Sequence, residues 1–172
     1  MKIFKVCNMT TEIVTVEGFI NNYLIKRIGE IKKDNPYFAF LLMAVGIEFL
    51  GQCLNDETEF NKGKSRNNFG LGLTVYPLNK SEYSNLYEDM RCGLAHSLQT
   101  KNGLCMSNTK CKGTIDCETF YVDFEAACKE ILSGKVTMPK KKLSDTFFVV
   151  TTNDDGTSTT GNTLSQMSLV QN

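Results

Sequence analysis

Residues 36–54 read PYFAFLLMAVGIEFLGQCL, and the way this stretch is read decides the fold class. Its apolar run, Phe38 to Ile47, meets a first charge at Glu48 after ten residues, short of the roughly 20 that a bilayer crossing needs. A run that continues through Phe49 and Leu50 to Leu54 is expected to form the central helix of a soluble bundle, buried on nearly all sides. Asn35 and Pro36 mark its start. The asparagine caps the first turn, and proline fits there because no amide donor is required.

Working outward, Ile13, Val16, Phe19, Ile20, Tyr23, Leu24, Ile28 and Ile31 recur at three and four, which predicts a first helix from Thr11 to Lys33. Residues 55–73 (NDETEFNKGKSRNNFGLGL) lose that period and gain Asn, Gly and Lys, the composition of a loop. After Tyr76-Pro77, Asn79 or Ser81 offers a cap for a third helix whose stripe is Tyr83, Leu86, Tyr87, Met90, Leu94 and Leu98. Thr100 to Lys112 reads as a loop, Thr114 to Phe120 as a short strand, and Tyr121 to Ser133 as a fourth helix that Gly134 ends. The expectation is an all-α four-helix bundle over residues 1–142. Residues 143–172 stand apart. Asp145 to Thr152 has strand composition, and the small polar residues beyond it form a hairpin turning near Asp155-Gly156 or a loosely attached tail, the tail being preferred. Lys140-Lys141-Lys142 reads as a solvated charge run.

The 172 residues carry 19 acidic and 19 basic side chains, so no net field draws polyanions from a distance. A content of 41% hydrophobic and 22% charged residues supports a real core and excludes the disordered class. Seven cysteines (Cys7, Cys53, Cys92, Cys105, Cys111, Cys117, Cys128) accompany an N-terminus, MKIFKVCNMTTEIV, that lacks the apolar core and cleavage site of a secretory leader. A cytoplasmic location and reduced thiols are therefore expected. No C-x-x-C pair exists for a redox or zinc site, and a shell of His96, Cys105, Cys111 and Cys117 has spacing too wide for a structural zinc. Gly63-Lys64-Ser65 lacks the earlier glycine of a phosphate loop, and Gly70-x-Gly72 opens no helix in this reading. No metal and no cofactor are expected.

One constellation carries chemistry. His96 is the single histidine, and Arg91 lies five residues before it in LYEDMRCGLAHSL. On an α-helix the stripe from Tyr83 to Leu98 faces the core, which turns His96 roughly 150° away and leaves Arg91 on the stripe's flank. Imidazole takes and returns protons near neutral pH, while guanidinium stays charged and matches phosphate oxygens in a fork. Together they suit phosphodiester cleavage, the histidine acting on an RNA 2′-hydroxyl and the arginine on charge developing at the phosphorus. Glu48 joins them as a carboxylate in an apolar helix that needs a cationic partner. Cys92 is a weak donor, a packing residue or a redox-sensitive thiol. Lys62, Lys64 and Arg66 are the candidate phosphate contacts.

The run LYEDMRCGLAHSL resembles the Arg-x4-6-His signature of the HEPN superfamily, "higher eukaryotes and prokaryotes nucleotide-binding" domains, and RCGLAH is similar to the form found in uncharacterised bacterial members. The resemblance reaches Arg91 and His96 as motif residues and, more loosely, Thr11 to Ser133. It implies an all-α bundle, a homodimer with both motifs facing one cleft, and metal-independent RNA cleavage to a 2′,3′-cyclic phosphate, the alternative being a non-catalytic nucleotide- or RNA-binding or regulatory module. Active members often place Asn, Asp or His directly after the arginine, where this chain has Cys92.

Overall fold

A computed structural model describes residues 10–60, 63–77, 86–97, 99–102, 104–107, 114–152 and 158–161. The described chain is mostly helical, with small sheets. In chain order it forms β1 (Thr10–Thr15), α1 (Val16–Phe19), a π-helical stretch (Ile20–Arg27), α2 (Ile28–Asp34), α3 (Pro36–Leu54) and α4 (Ser65–Leu73). A second π-helical stretch (Tyr87–Cys92), α5 (Gly93–Ser97), β2 (Cys105–Ser107), β3 (Thr114–Asp116), α6 (Cys117–Leu132), β4 (Thr146–Thr152) and β5 (Ser158–Gly161) follow. The chain divides into two compact units, residues 20–141 and residues 1–19 with 142–172.

In the larger, helical unit, α3 is the central element. The Asn35 side chain accepts from the Phe38 amide at 3.3 Å and Pro36 occupies the first turn, as the sequence predicts. By length and composition α3 is the one described helix able to cross a bilayer, yet 56% of that window is buried inside the protein. Phe40, Met43, Ala44, Ile47 and Leu50 lie fully inside, while Phe38, Leu42 and Val45 on the opposite face are exposed.

Residues 65–73 form α4, not the loop that their Asn and Gly content predicts. The reason is tertiary. A Cβ on Gly51 would stand 1.6 Å from the Asn68 carbonyl oxygen, and one on Gly72 would stand 1.9 Å from that of Ile47. The α3 and α4 backbones therefore touch, an approach that only glycine permits. Low helix propensity in α4 is the cost of that contact.

Helix α6 closes the core. Asp116 caps it, accepting from the Thr119 amide at 2.9 Å and hydroxyl at 2.7 Å. Phe120, Phe124, Ala127, Cys128 and Ile131 make its buried stripe, with Phe120 packing 5.8 Å from Phe40. The Tyr121 hydroxyl donates to the Ile25 carbonyl at 2.8 Å, satisfying an acceptor in the first π-helical stretch. The helix starts four residues before its predicted beginning, because residues 114–116 use only the first part of the expected strand. That strand pairs in parallel with β2, inside a segment read as loop.

Lys141 departs most from its expectation, since it is 3% exposed. Its ammonium donates to the Asn55 side-chain oxygen at 2.8 Å and to the Glu57 carbonyl at 2.5 Å, and lies 5.3 Å from the Phe60 ring. Asn55 in turn donates to the Asn68 side chain at 2.9 Å. These oxygens replace the water that a buried ammonium loses. Lys140 and Lys142 remain exposed.

The smaller unit is an antiparallel sheet of order β1-β4-β5. Its first strand comes from residues 10–15, which the sequence reading placed in the first helix and in the helical domain of residues 1–142. Thr10, Thr11, Ile13, Val14 and Thr15 are β-branched, and Thr15 ends the strand by accepting from the Gly18 amide at 3.1 Å. β4 and β5 pair antiparallel as in the hairpin alternative and not as a loose tail, with the turn itself outside the described residues. Phe19 packs 4.6 Å from Phe147 and 5.9 Å from Phe148. The described residues are thus mostly helical, in five helical runs, with one three-stranded and one two-stranded sheet.

The glycine contacts yield a matched test. Gly72→Ala is expected to destabilise by about 1–3 kcal/mol or more through overpacking. Gly70, whose added Cβ meets nothing within 4 Å, is expected to gain up to about 1 kcal/mol as alanine. Urea denaturation of both variants checks the opposite signs.

Candidate functional site

The helical run 86–97 carries the motif, and its winding is set by what each side chain must reach. Met90 and Leu94 are fully buried and anchor one face. Asp89, also buried, accepts from the Asn102 amide at 2.5 Å through its side chain and from the Lys101 amide at 2.9 Å through its carbonyl. Gly93 lies against the following chain, since a Cβ there would come 2.3 Å from the Gln99 carbonyl oxygen. Residues 99–100 therefore pack directly on the helix backbone at Gly93.

Arg91 and Glu48 meet. The arginine Nε and Nη2 atoms each lie 2.7 Å from one Glu48 oxygen, with side-chain exposures of 19% and 12% respectively. The guanidinium also stands 5.9 Å from the Tyr87 ring centre. Arg66 approaches the same ring at 5.0 Å and pairs with Glu88, so Tyr87 contacts two cations, with Phe69 edge-on at 5.6 Å. Such contacts between cations and aromatic rings are electrostatically favourable.

Lys64 and Arg66 line an open recess of about 450 Å³ along one side of α4, together with Asn67, Gly70, Leu71 and Thr74. Lys64 makes no ion pair among the described residues, and Arg66 is exposed despite its link to Glu88. Lys62 lies outside the described residues. His96 is exposed and hydrogen-bonds to nothing among them, so the structure joins Arg91 to Glu48, and to the Tyr87 ring that Arg66 also approaches, but not to His96. Cys92 is half-buried.

Tyr87, Glu88 and Asp89 were read only as helix residues. Their sequence signal is the spacing of Tyr87 four before Arg91, which places an aromatic ring and a cation on neighbouring turns. The contribution of Arg66 depends on α4 and has no local signal.

The buried thiols are poor nucleophiles and poor metal ligands, since both roles need the thiolate. Burial pushes Cys53 up to about 12 against the pull of Lys141. Burial likewise pushes Cys117 up to about 11 and raises Cys128. Among the described residues no group of three His, Cys, Asp or Glu side chains is arranged to hold a metal ion. No protein-family model matches this chain, and no curated protein or solved structure matches it.

Arg91→Met and Glu48→Gln are each expected to lose about 1–3 kcal/mol, because each leaves a largely buried partner unsatisfied. The double variant is expected to lose less than the sum, a coupling that a double-mutant cycle in urea measures. Arg91→Lys is expected not to restore stability, since an ammonium cannot reproduce the fork.

Alkaline pH supplies a second test. The folded Cys53 thiol keeps its proton to about pH 12, whereas an unfolded thiol loses it near about 8.5. The associated stability is complete below the unfolded value and is lost as pH rises through this window. Cys53→Ala is expected to flatten the decline between about pH 9 and 12 in denaturation series.

Proposed function

We propose that the helical unit is a HEPN-like module that binds single-stranded RNA without cutting it, with Arg91 serving as a fixed structural cation. The Arg91–Glu48 ion pair carries this reading. It commits two guanidinium donors to one carboxylate in a largely buried setting, where removing a charge from its partner costs far more than at the surface. Phosphate contacts then fall to Lys64 and Arg66, which solvent reaches. An exposed pair such as Arg66–Glu88 contributes little and exchanges readily for a phosphate. With equal numbers of acidic and basic residues, attraction to RNA is local to this surface.

A second reading, metal-independent endoribonuclease, is favoured by the exposed His96 beside a π-helical turn, a winding that recurs at functional sites. In that reading Glu48 orients Arg91 and His96 removes the 2′-hydroxyl proton. The resulting oxygen attacks the adjacent phosphorus, the 5′-oxygen leaves, and a 2′,3′-cyclic phosphate remains.

Fluorescence anisotropy with a labelled single-stranded RNA, in excess chelator and over a salt series, separates the two. The RNA is expected to bind and stay intact. Lys64→Ala and Arg66→Ala are each expected to weaken binding and to reduce the salt slope by about 0.7 per lost contact. Cleavage that disappears in both His96→Ala and Arg91→Ala establishes the nuclease instead. Binding unchanged when both Lys64 and Arg66 are alanine rejects this surface.

A further inference from the structure

We infer that the recess along α4 is a receptor for a terminal phosphate monoester, the charge-dense end of an RNA strand or of a single nucleotide, and that Glu88 competes with this ligand for Arg66. The inference depends on the RNA reading only for the choice of carrier.

Charge matching supports the monoester. Lys64 and Arg66 bring two positive charges to one recess, and among the described residues that line it none is acidic, Glu88 reaching Arg66 from the motif helix. A terminal phosphate carries nearly two negative charges at neutral pH, because its second proton leaves near pH 6, while an internal phosphodiester carries one. Arginine adds a planar fork for two phosphate oxygens, and lysine a compact charge that adjusts to a third.

Shape and composition fit one nucleotide. A volume of about 450 Å³ lies within the range of roughly 300–1,000 Å³ usual for small-molecule sites. Asn67 supplies a neutral polar group, Leu71 an apolar surface, and Gly70 open space where an added Cβ meets nothing within 4 Å, while the Thr74 hydroxyl is committed to the Leu71 carbonyl at 2.6 Å.

The competition follows from the position of Arg66. It lines the recess and at the same time pairs with Glu88 on the motif helix. Glu88 and a phosphate are alternative anionic partners for one guanidinium. Ligand entry trades an exposed carboxylate for a dianion, and the reverse exchange closes the site. Since Glu88 and Arg91 belong to the same π-helical stretch, the exchange links occupancy of the recess to the helix that carries the motif.

The test compares three probes on the full chain: one RNA oligonucleotide with a 5′-phosphate, the same strand with a 5′-hydroxyl, and adenosine 5′-monophosphate. Calorimetry is expected to show the phosphorylated strand binding about tenfold or more tightly than the hydroxyl strand, the scale of charge-assisted hydrogen bonds. Lys64→Ala and Arg66→Ala are expected to erase that preference. Glu88→Gln is expected to tighten phosphate binding about two- to fivefold by removing an exposed competitor. Purely structural damage does not produce such a gain. Affinity is expected to fall below about pH 6 as the monoester takes up its second proton.

Equal binding of the two strands overturns the monoester assignment while leaving RNA binding in place. Binding of adenosine 5′-monophosphate with no binding of either strand assigns the receptor to a free nucleotide and rejects the RNA reading. Glu88→Gln that weakens phosphate binding, or leaves it unchanged, overturns the competition.

Discussion

Two helix backbones touch at Gly51 and Gly72, and the arrangement of the helical unit depends on that contact. Without a Cβ on either side, α4 approaches α3 closely enough for Asn68 to reach Asn55, and Asn55 in turn receives the buried ammonium of Lys141. The same placement brings Phe69 and Arg66 of α4 to Tyr87 and Glu88 of the motif helix. One steric constraint thus positions both the internal polar network and the cationic surface.

Burial assigns the cations different work. Arg91 and Arg66 both stand over the Tyr87 ring and both face a glutamate, yet their settings are opposite. Arg91 pairs with Glu48 where little water reaches either side chain, so the pair resists exchange. Arg66 and Glu88 are well exposed, so water and salt weaken their attraction and another anion can replace the carboxylate. Lys141 is a third case, held inside by neutral oxygens together with an aromatic face.

The elements legible in the sequence are those whose signal is local. Helix α3 appears at its predicted bounds because its cap, its proline and its long apolar run are contiguous. The Arg91–Glu48 pairing was also legible, since a carboxylate in an apolar helix demands a cation. The first helical run begins at Val16 and not at Thr11, because Ile13 fits the helical period by chance while the largely β-branched run from Thr10 to Thr15 pairs with β4, more than 130 residues away in the chain. Helix α4 was missed because its glycines, poor helix formers alone, are required by a neighbour absent from the local window.

The sequence by itself determined the central helix, the N-cap of α3, the glycine stop after α6, and the carboxylate–guanidinium partnership, because short-range hydrogen bonding and the cost of burying charge act through residue type and spacing. Tertiary structure alone decided that Lys141 is inside, that α4 exists, and that Arg66 shares an aromatic ring with Arg91. Each of these rests on contact between segments distant in the chain, where steric fit and lost solvation exceed local preference.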